Sequence, residues 1–291
     1  MKIIIPNVDV SIFRYIAQCL ETITNDNLNA LYWNSSIVPI IDMFDELNPN
    51  VVFLHESQLD KAFEIVCKDF NFKYVVFVSG KTALPANLAQ PPHAIIAPPD
   101  SKVDFNDHHV ICIRPMANIP SVHNAQYVEN LKSEILIDTT HVNIDDELLK
   151  LLSYLIATHH TKIIGDNALP LHQYMGKVTM IERANFIKST DIFLDIGTGG
   201  HYLDASYLKV AALTTHPTNN IILNFNNLST LQAHLNTLIN KDLVKQQYIT
   251  QCYSNVCGKN TSYHFSSELF NLIGESDIAK TLLEYMKGIT C

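Results

Sequence analysis

Arginine is scarce in this chain. Only Arg14, Arg114 and Arg183 occur in 291 residues, and 20 basic side chains face 29 acidic ones for a net charge of -9. Nucleic-acid binders need Lys/Arg stripes to neutralise phosphates, so this balance argues against DNA or RNA as a partner. A single pyrophosphate stays within reach, because a helix N-terminus can hold one without arginine. Long hydrophobic runs are also missing. No apolar stretch approaches the ~20 residues of a membrane span, and "MKIIIPNVDVS" is too soon interrupted for a secretory leader. The expectation is a soluble, cytoplasmic protein with no transmembrane segment. No strongly basic amphipathic helix argues for a membrane surface, so peripheral contact is the most that membrane association would amount to.

Paired cysteines are lacking too. Cys252 and Cys257 are the only close pair among six, and no second pair stands ready to complete a zinc site. The scattered cysteines read as reduced thiols. His108–His109 and His159–His160 invite a metal reading, but adjacent side chains diverge on strands and helices alike, so no metal is expected. The acids Asp145, Asp146 and Glu147 suit the first turn of a helix. Tandem repeats and low-complexity segments are absent as well.

What is present is alternation. "KIIIP" reads as a buried strand, and Ile12, Phe13, Ile16, Cys19, Leu20 and Ile23 follow it as a stripe of helical period. "NALYW" then leads to "IVPIIDMFDEL", and "NVVFLH" to "SQLDKAFEIVCKDF" with Ser57 as the expected N-cap; "KYVVFVSG", "HAIIAPP" and "HVICIR" complete the first third. Strands apolar throughout are buried on both faces, which implies a parallel sheet between helices.

The pattern lapses in "RPMANIPSVHNAQYVENLK" and then restarts. "EILID", a helix from Asn143 to His159, "TKIIG", "GKV", "MIERANFIKST", "DIFLD", "HYLDASYLK", "VAALT" and "NIILNF" follow, with helical sequence from Leu228 onwards. The reading is an α/β chain of two Rossmann-like domains, 1–118 and 133–291, joined by a linker at 119–132, with parallel sheets facing a central cleft. Ligands of such sheets sit beyond the carboxyl ends of the strands, at the point where the winding reverses.

One stretch, "DIFLDIGTGGHYLDASYLKVAALTTH" (Asp191 to His216), supports two readings. "LDIGTGG" is like the glycine loop that holds S-adenosylmethionine in methyltransferases. That loop belongs after the first strand of its sheet, and the next strand should end in an acid. Here the loop follows the third or fourth strand, and "VAALTTH" ends in Thr214, Thr215 and His216.

The longer span from Gly176 to Thr214 resembles the C-terminal half of GT-B glycosyltransferases in the order of its parts. These are a "G-x-V" strand, a helix ending before Ser189-Thr190-Asp191-Ile192, a glycine loop, a helix carrying Asp204-Ala205, and a short apolar strand. The resemblance implies transfer of a sugar from a nucleotide-sugar donor to a glycan or lipid-linked acceptor. It needs no metal or other cofactor, and the nucleotide sugar enters as co-substrate. A terminal helix such as "SDIAKTLLEYMKG" packs back towards the N-terminal domain in that family.

The residues make chemical sense of such a site. Gly199 and Gly200 would let the backbone approach an anion, and the amides at His201 would face a pyrophosphate. His201 would bond a phosphate oxygen or the sugar, and Asp204, one turn on, would accept from ribose hydroxyls. By resemblance, Val178 would lie at the base and Gly165 along the cleft. Inverting transfer needs a general base on the N-terminal side, for which His55 after "VVFL" and Asp9 in the first post-strand loop are the candidates. Post-strand Glu56 and Lys81 read as ordinary polar residues.

Three features depart from the family. The acids nearest to its glutamate pair are Asp195 and Asp204, spaced differently; "DTTHVNIDDE" offers only His141 where many members have a basic pair; and "PNVDVS" lacks a glycine pair. These departures point to an inverting or divergent enzyme, or to a non-catalytic binding or assembly module on the same fold.

Overall fold

The computed structural model describes the chain except residues 8–9, 26–27, 81–83, 85–87, 99–100, 102–108, 167–168, 198–199, 217–220 and 291. The chain forms two compact units, the first comprising Met1–Arg114 with Ser262–Cys291 and the second Pro115–Thr261.

In the first unit, β1 (Lys2–Pro6), β2 (Asn29–Trp33), β3 (Val51–His55), β4 (Lys73–Phe77), β5 (Ala94–Ala97) and β6 (Val110–Cys112) form one sheet in the order β2-β1-β3-β4-β5-β6. Every pairing is parallel. Helices α1 (Ser11–Glu21), α2 (Ile40–Leu47) and α3 (Lys61–Asp69) are the crossovers. Val51 to Leu54 are fully buried, as a strand covered on both faces requires. On α1 the expected apolar stripe packs inward, with Phe13 set edge-on against Phe53 of β3 at 5.8 Å.

The second unit opens with α4 (Ile119–Val122) and a 3-10 turn at Glu129–Leu131. The expected linker is thus folded into this unit, with Ile119 and Val122 buried and the Gln126 N–H donating to Asn185 Oδ1 at 2.8 Å. Then come β7 (Ser133–Asp138), α5 (Asp146–Thr158), β8 (Thr161–Ile164), α6 (Met180–Lys188), β9 (Thr190–Asp195), α7 (Tyr202–Tyr207), β10 (Ala211–Thr214), β11 (Leu223–Asn224), α8 (Leu228–Asn240) and α9 (Asp242–Lys259). The sheet order is β11-β10-β9-β7-β8, again parallel throughout. The winding therefore reverses at β7, leaving a switch point between β7 and β9.

Helices α10 (Ser262–Leu272) and α11 (Ser276–Thr290) belong to the first unit. Phe270 meets Phe53 at 6.3 Å, the Tyr263 hydroxyl donates to Thr22 Oγ1 at 3.0 Å, and Lys73 pairs with Glu275 at 2.6 Å. The expected domain of 133–291 thus ends at Thr261, and the terminal helices complete the first unit's core.

Two local expectations change. "GKV" is not a strand; the parallel bridge beside β8 forms earlier, between Ile163 and Tyr174. Ser57 does not cap α3; it lies in a 3-10 turn at Glu56–Gln58, and Asp60 is the cap, its Oδ1 accepting from the Phe63 N–H at 3.0 Å. Among the described residues Cys19, Cys67, Cys112, Cys252 and Cys257 are free thiols. Replacing an Asp N-cap with Ala costs about 1 kcal/mol. Asp60→Ala should therefore lower stability by ~1 kcal/mol in a denaturant melt, and Ser57→Ala by clearly less; the reverse order would restore Ser57 as the cap.

Candidate functional site

His55 ends β3, beside β1, where the first unit's winding reverses. Its Nδ1 accepts from the Ser57 N–H at 3.1 Å, while its own N–H donates to Gln58 Oε1 at 2.7 Å, a reciprocal capping box. Nδ1 also lies 2.8 Å from Ser57 Oγ, so the ring of the expected base is engaged within its own turn, which it caps. Asp9 and Lys81 lie outside the described residues.

The second unit is richer at its switch point. Asp138 and Asp195 end β7 and β9, are register partners across the ladder, and are both wholly buried. Two carboxylates side by side in a core are costly unless neutralised. Arg183 of α6 supplies one charge, its Nε 2.9 Å from Asp138 Oδ2 in an ion pair whose N–H is not aligned for a hydrogen bond. Its Nη2 donates to Thr140 Oγ1 at 3.2 Å, and Asp138 Oδ1 accepts from the Thr140 N–H at 2.9 Å. Arg183 is thus a basic side chain placed at the start of this unit's sheet from far along the sequence. The signal was "TMIE", since Thr179 and Glu182 form the capping box that starts α6 and sets Arg183 in its first turns.

Asp195 Oδ2 accepts from the Tyr202 N–H, the first amide of α7, at 3.0 Å, while Oδ1 has no hydrogen-bond partner among the described residues. Burial, with the charge of Asp138 added, pushes this acid up to about 7 against the opposing pull of His201, the Tyr202 amide and His216. A turn later, Asp204 is buried with both oxygens engaged. Oδ1 accepts from the Asn118 N–H at 2.9 Å, and Oδ2 lies 3.2 Å from His201 Nδ1. The expected ribose acceptor is therefore an internal brace. Burial pulls His201 down, but its bond to Asp204 and the charges of Asp204 and Asp138 outweigh this and leave it raised.

Gly197 is required by close approach, since a Cβ there would lie 2.3 Å from the Thr140 carbonyl oxygen. Gly200 has φ +68, which favours glycine, while Gly199 lies outside the described residues. Gly165, after β8, would drive a Cβ to 2.3 Å from Thr139 Oγ1, so its role is packing behind the loop. Val178 is half-buried just before the α6 cap. His141, with φ +61 and an exposed side chain, is gripped by Asp166, whose Oδ1 accepts the His141 N–H at 2.8 Å and whose Oδ2 lies 2.8 Å from Nδ1. Of the paired histidines, His159 meets Glu134 Oε1 at 3.1 Å, and His108 is outside the described residues. A cavity of about 500 Å³ lies within this unit beyond β9, β10 and β11, lined by Asn143, Leu148, Ile196, Thr215, Phe225 and Asn227 among others.

No protein-family model matches the chain, and no curated protein sequence matches it. Solved structures do. A glycosyltransferase from Rickettsia africae aligns over 99% of this chain and 97% of its own, with TM-score 0.61 at 13% identity. Sucrose-phosphate synthase from Thermosynechococcus elongatus aligns over 96% and 100%, with TM-score 0.56 at 8% identity. UDP-GlcNAc 2-epimerase from Neisseria meningitidis, solved bound to UDP-GlcNAc, aligns over 98% and 99%, with TM-score 0.55 at 11% identity. The chain has the two-domain GT-B fold that the order of motifs in Gly176–Thr214 implied.

Removing the Asp204 charge should leave only the charge of Asp138 to oppose burial at His201. In Asp204→Asn, whose side-chain oxygen can still accept from Asn118, the His201 ring should titrate at lower pH than in the parent, read from its ring-proton NMR signals. An unchanged titration would mean that the contact does not set the histidine's charge.

Proposed function

We propose that this protein is a sugar-nucleotide enzyme that moves a sugar from a nucleotide-sugar donor to a glycan or lipid-linked acceptor, with the donor held by the second unit. The observation that carries this reading is the position of the loop after β9. It stands at the sheet's reversal, where open α/β sheets receive ligands, in a fold shared over nearly the whole chain with sugar-nucleotide enzymes. Gly197 lies close against Thr140 and Gly200 takes a left-handed φ on the described parts of that loop, Arg183 brings a largely buried positive charge to Asp138 at the end of β7, and His201 stands at the loop's end. In this reading the leaving diphosphate is stabilised by backbone amides and these side chains, without a metal ion.

Asp204 favours a second reading, since both its oxygens are already bound within the unit. A non-catalytic binding or assembly module on the same scaffold needs neither a catalyst nor a ribose ligand.

Calorimetry and thermal shift with UDP, GDP and S-adenosylhomocysteine separate these. The transferase reading expects a nucleoside diphosphate to raise the melting temperature, by roughly 2.7 kcal/mol of stabilisation at a hundredfold excess over Kd. His201→Ala should weaken that response. Stabilisation by S-adenosylhomocysteine alone would sink the proposal. Given binding, NMR of a UDP-sugar mixed with candidate acceptors distinguishes the chemistries. Transfer releases UDP into solution, an epimerase makes a new sugar signal with UDP still attached, and a binding module leaves the compound intact.

A further inference from the structure

The two buried carboxyls at the switch point do more than fill space. They are register partners on neighbouring strands, so their side chains leave the same face of the sheet at adjacent positions. Both are sealed from water, and they differ in support: Asp138 has the Thr140 amide and Arg183, whereas Asp195 has the Tyr202 amide and an oxygen without a partner among the described residues. A buried lone oxygen beside a second carboxylate is poorly placed for negative charge and well placed for a proton.

We infer that Asp138 and Asp195, buried side by side across the ladder, hold a single proton between them, and that losing it weakens the hold of the switch point between β7 and β9 on an anionic group. The second clause rests on the nucleotide reading above; the first does not. Charged and titratable groups face the pair from several elements. They are Arg183 of α6, His201 at the start of α7 with Asp204 against it, and His216 after β10. With the proton present, Arg183 balances Asp138, and His201 lies against Asp204. Without it the cluster gains one negative charge directly beneath Gly197 and the first amide of α7. His216 also ties to that loop, its Nε2 against the Gly197 carbonyl oxygen, so a change in the cluster's charge reaches the loop from two sides.

The sign of the stability effect follows. Burial raises the acid in the folded state to about 7, while the unfolded chain loses that proton in the ordinary carboxylate range. The stabilisation is full in acid, falls as pH rises through about 7, and is level above it.

The test uses the full chain and Asp195→Asn, whose amide keeps an oxygen for the Tyr202 N–H and places an N–H where the proton would be. Carbon-13 NMR of the aspartate carboxyls should show one group titrating near neutrality, lost in Asp195→Asn and moved to lower pH in Asp138→Asn. Asp195→Asn should melt above the parent at about pH 8 and close to it in acid. UDP-N-acetylglucosamine, whose diphosphate diester does not titrate in this range, is the binding probe. Its affinity for the parent should fall on the order of tenfold between about pH 6 and about pH 8, and much less for Asp195→Asn. The variant is the necessary control, because the imidazoles of His201 and His216 also act on the pair.

Absence of any carboxyl titrating near neutrality overturns the shared proton, whether or not the probe binds. A titration untouched in Asp138→Asn overturns the coupling. Equal affinity at both pH values overturns the effect on the loop. Titration with no binding at either pH overturns the nucleotide reading and the loop effect together, with the shared proton upheld by the carboxyl signal itself.

Discussion

The second unit depends on how it tolerates two acids at the heart of a parallel sheet. Asp138 and Asp195 occupy the carboxyl ends of β7 and β9, where the ladder forces them side by side and solvent does not reach. Almost everything nearby answers that constraint. Arg183 is drawn in from α6, the Thr140 amide turns back to Asp138, and the first amide of α7 is spent on Asp195. Removing one partner of such a buried set costs more than the set contributes, because it strands the remaining charge. The arrangement therefore fixes where α6 and α7 begin relative to the strands.

That fixing shapes the loop between them. The Ile196 and Gly197 amides both donate to the Asp138 carbonyl at 3.1 Å, and the lack of a side chain at Gly197 lets it lie against Thr140. At the far end of the loop, His201 and Asp204 brace each other and reach Asn118. Among the described residues on either side of 198–199, the polar groups are thus mostly bonded within the unit.

Much of the fold was legible in the linear pattern. Uniformly apolar runs such as "VVFL" and "IFL" mark strands covered on both faces, and their alternation with helical stripes leaves few alternatives to parallel sheets. Of the glycine loop, Gly200 was legible as a position that needs glycine, while the close approach of Gly197 to Thr140 was not. Other features were not, each for a physical reason. His55 carries the residue type of a base, yet its ring is taken up by the Ser57 amide and hydroxyl two residues on. Asp204 has the spacing of a ribose ligand, but Asn118, 86 positions earlier, takes one of its oxygens. Arg183 was visible only as one of three arginines, because nothing local says that α6 will lay it against β7.

What the sequence determined by itself is local. Side-chain shape and hydrophobic period choose strand or helix, capping residues such as Thr179 and Glu182 set where a helix starts, and glycine permits the sharp turn after β9. What only the tertiary structure decided is which distant groups share a charge. The union of Asp138, Arg183 and Asp195, and the closure of the first unit by helices from the far end of the chain, depend on strand order and on desolvation. Both are properties of a packed sheet. Burial raises the energy of a charge until a partner is found, and the partner is whichever residue the fold brings near.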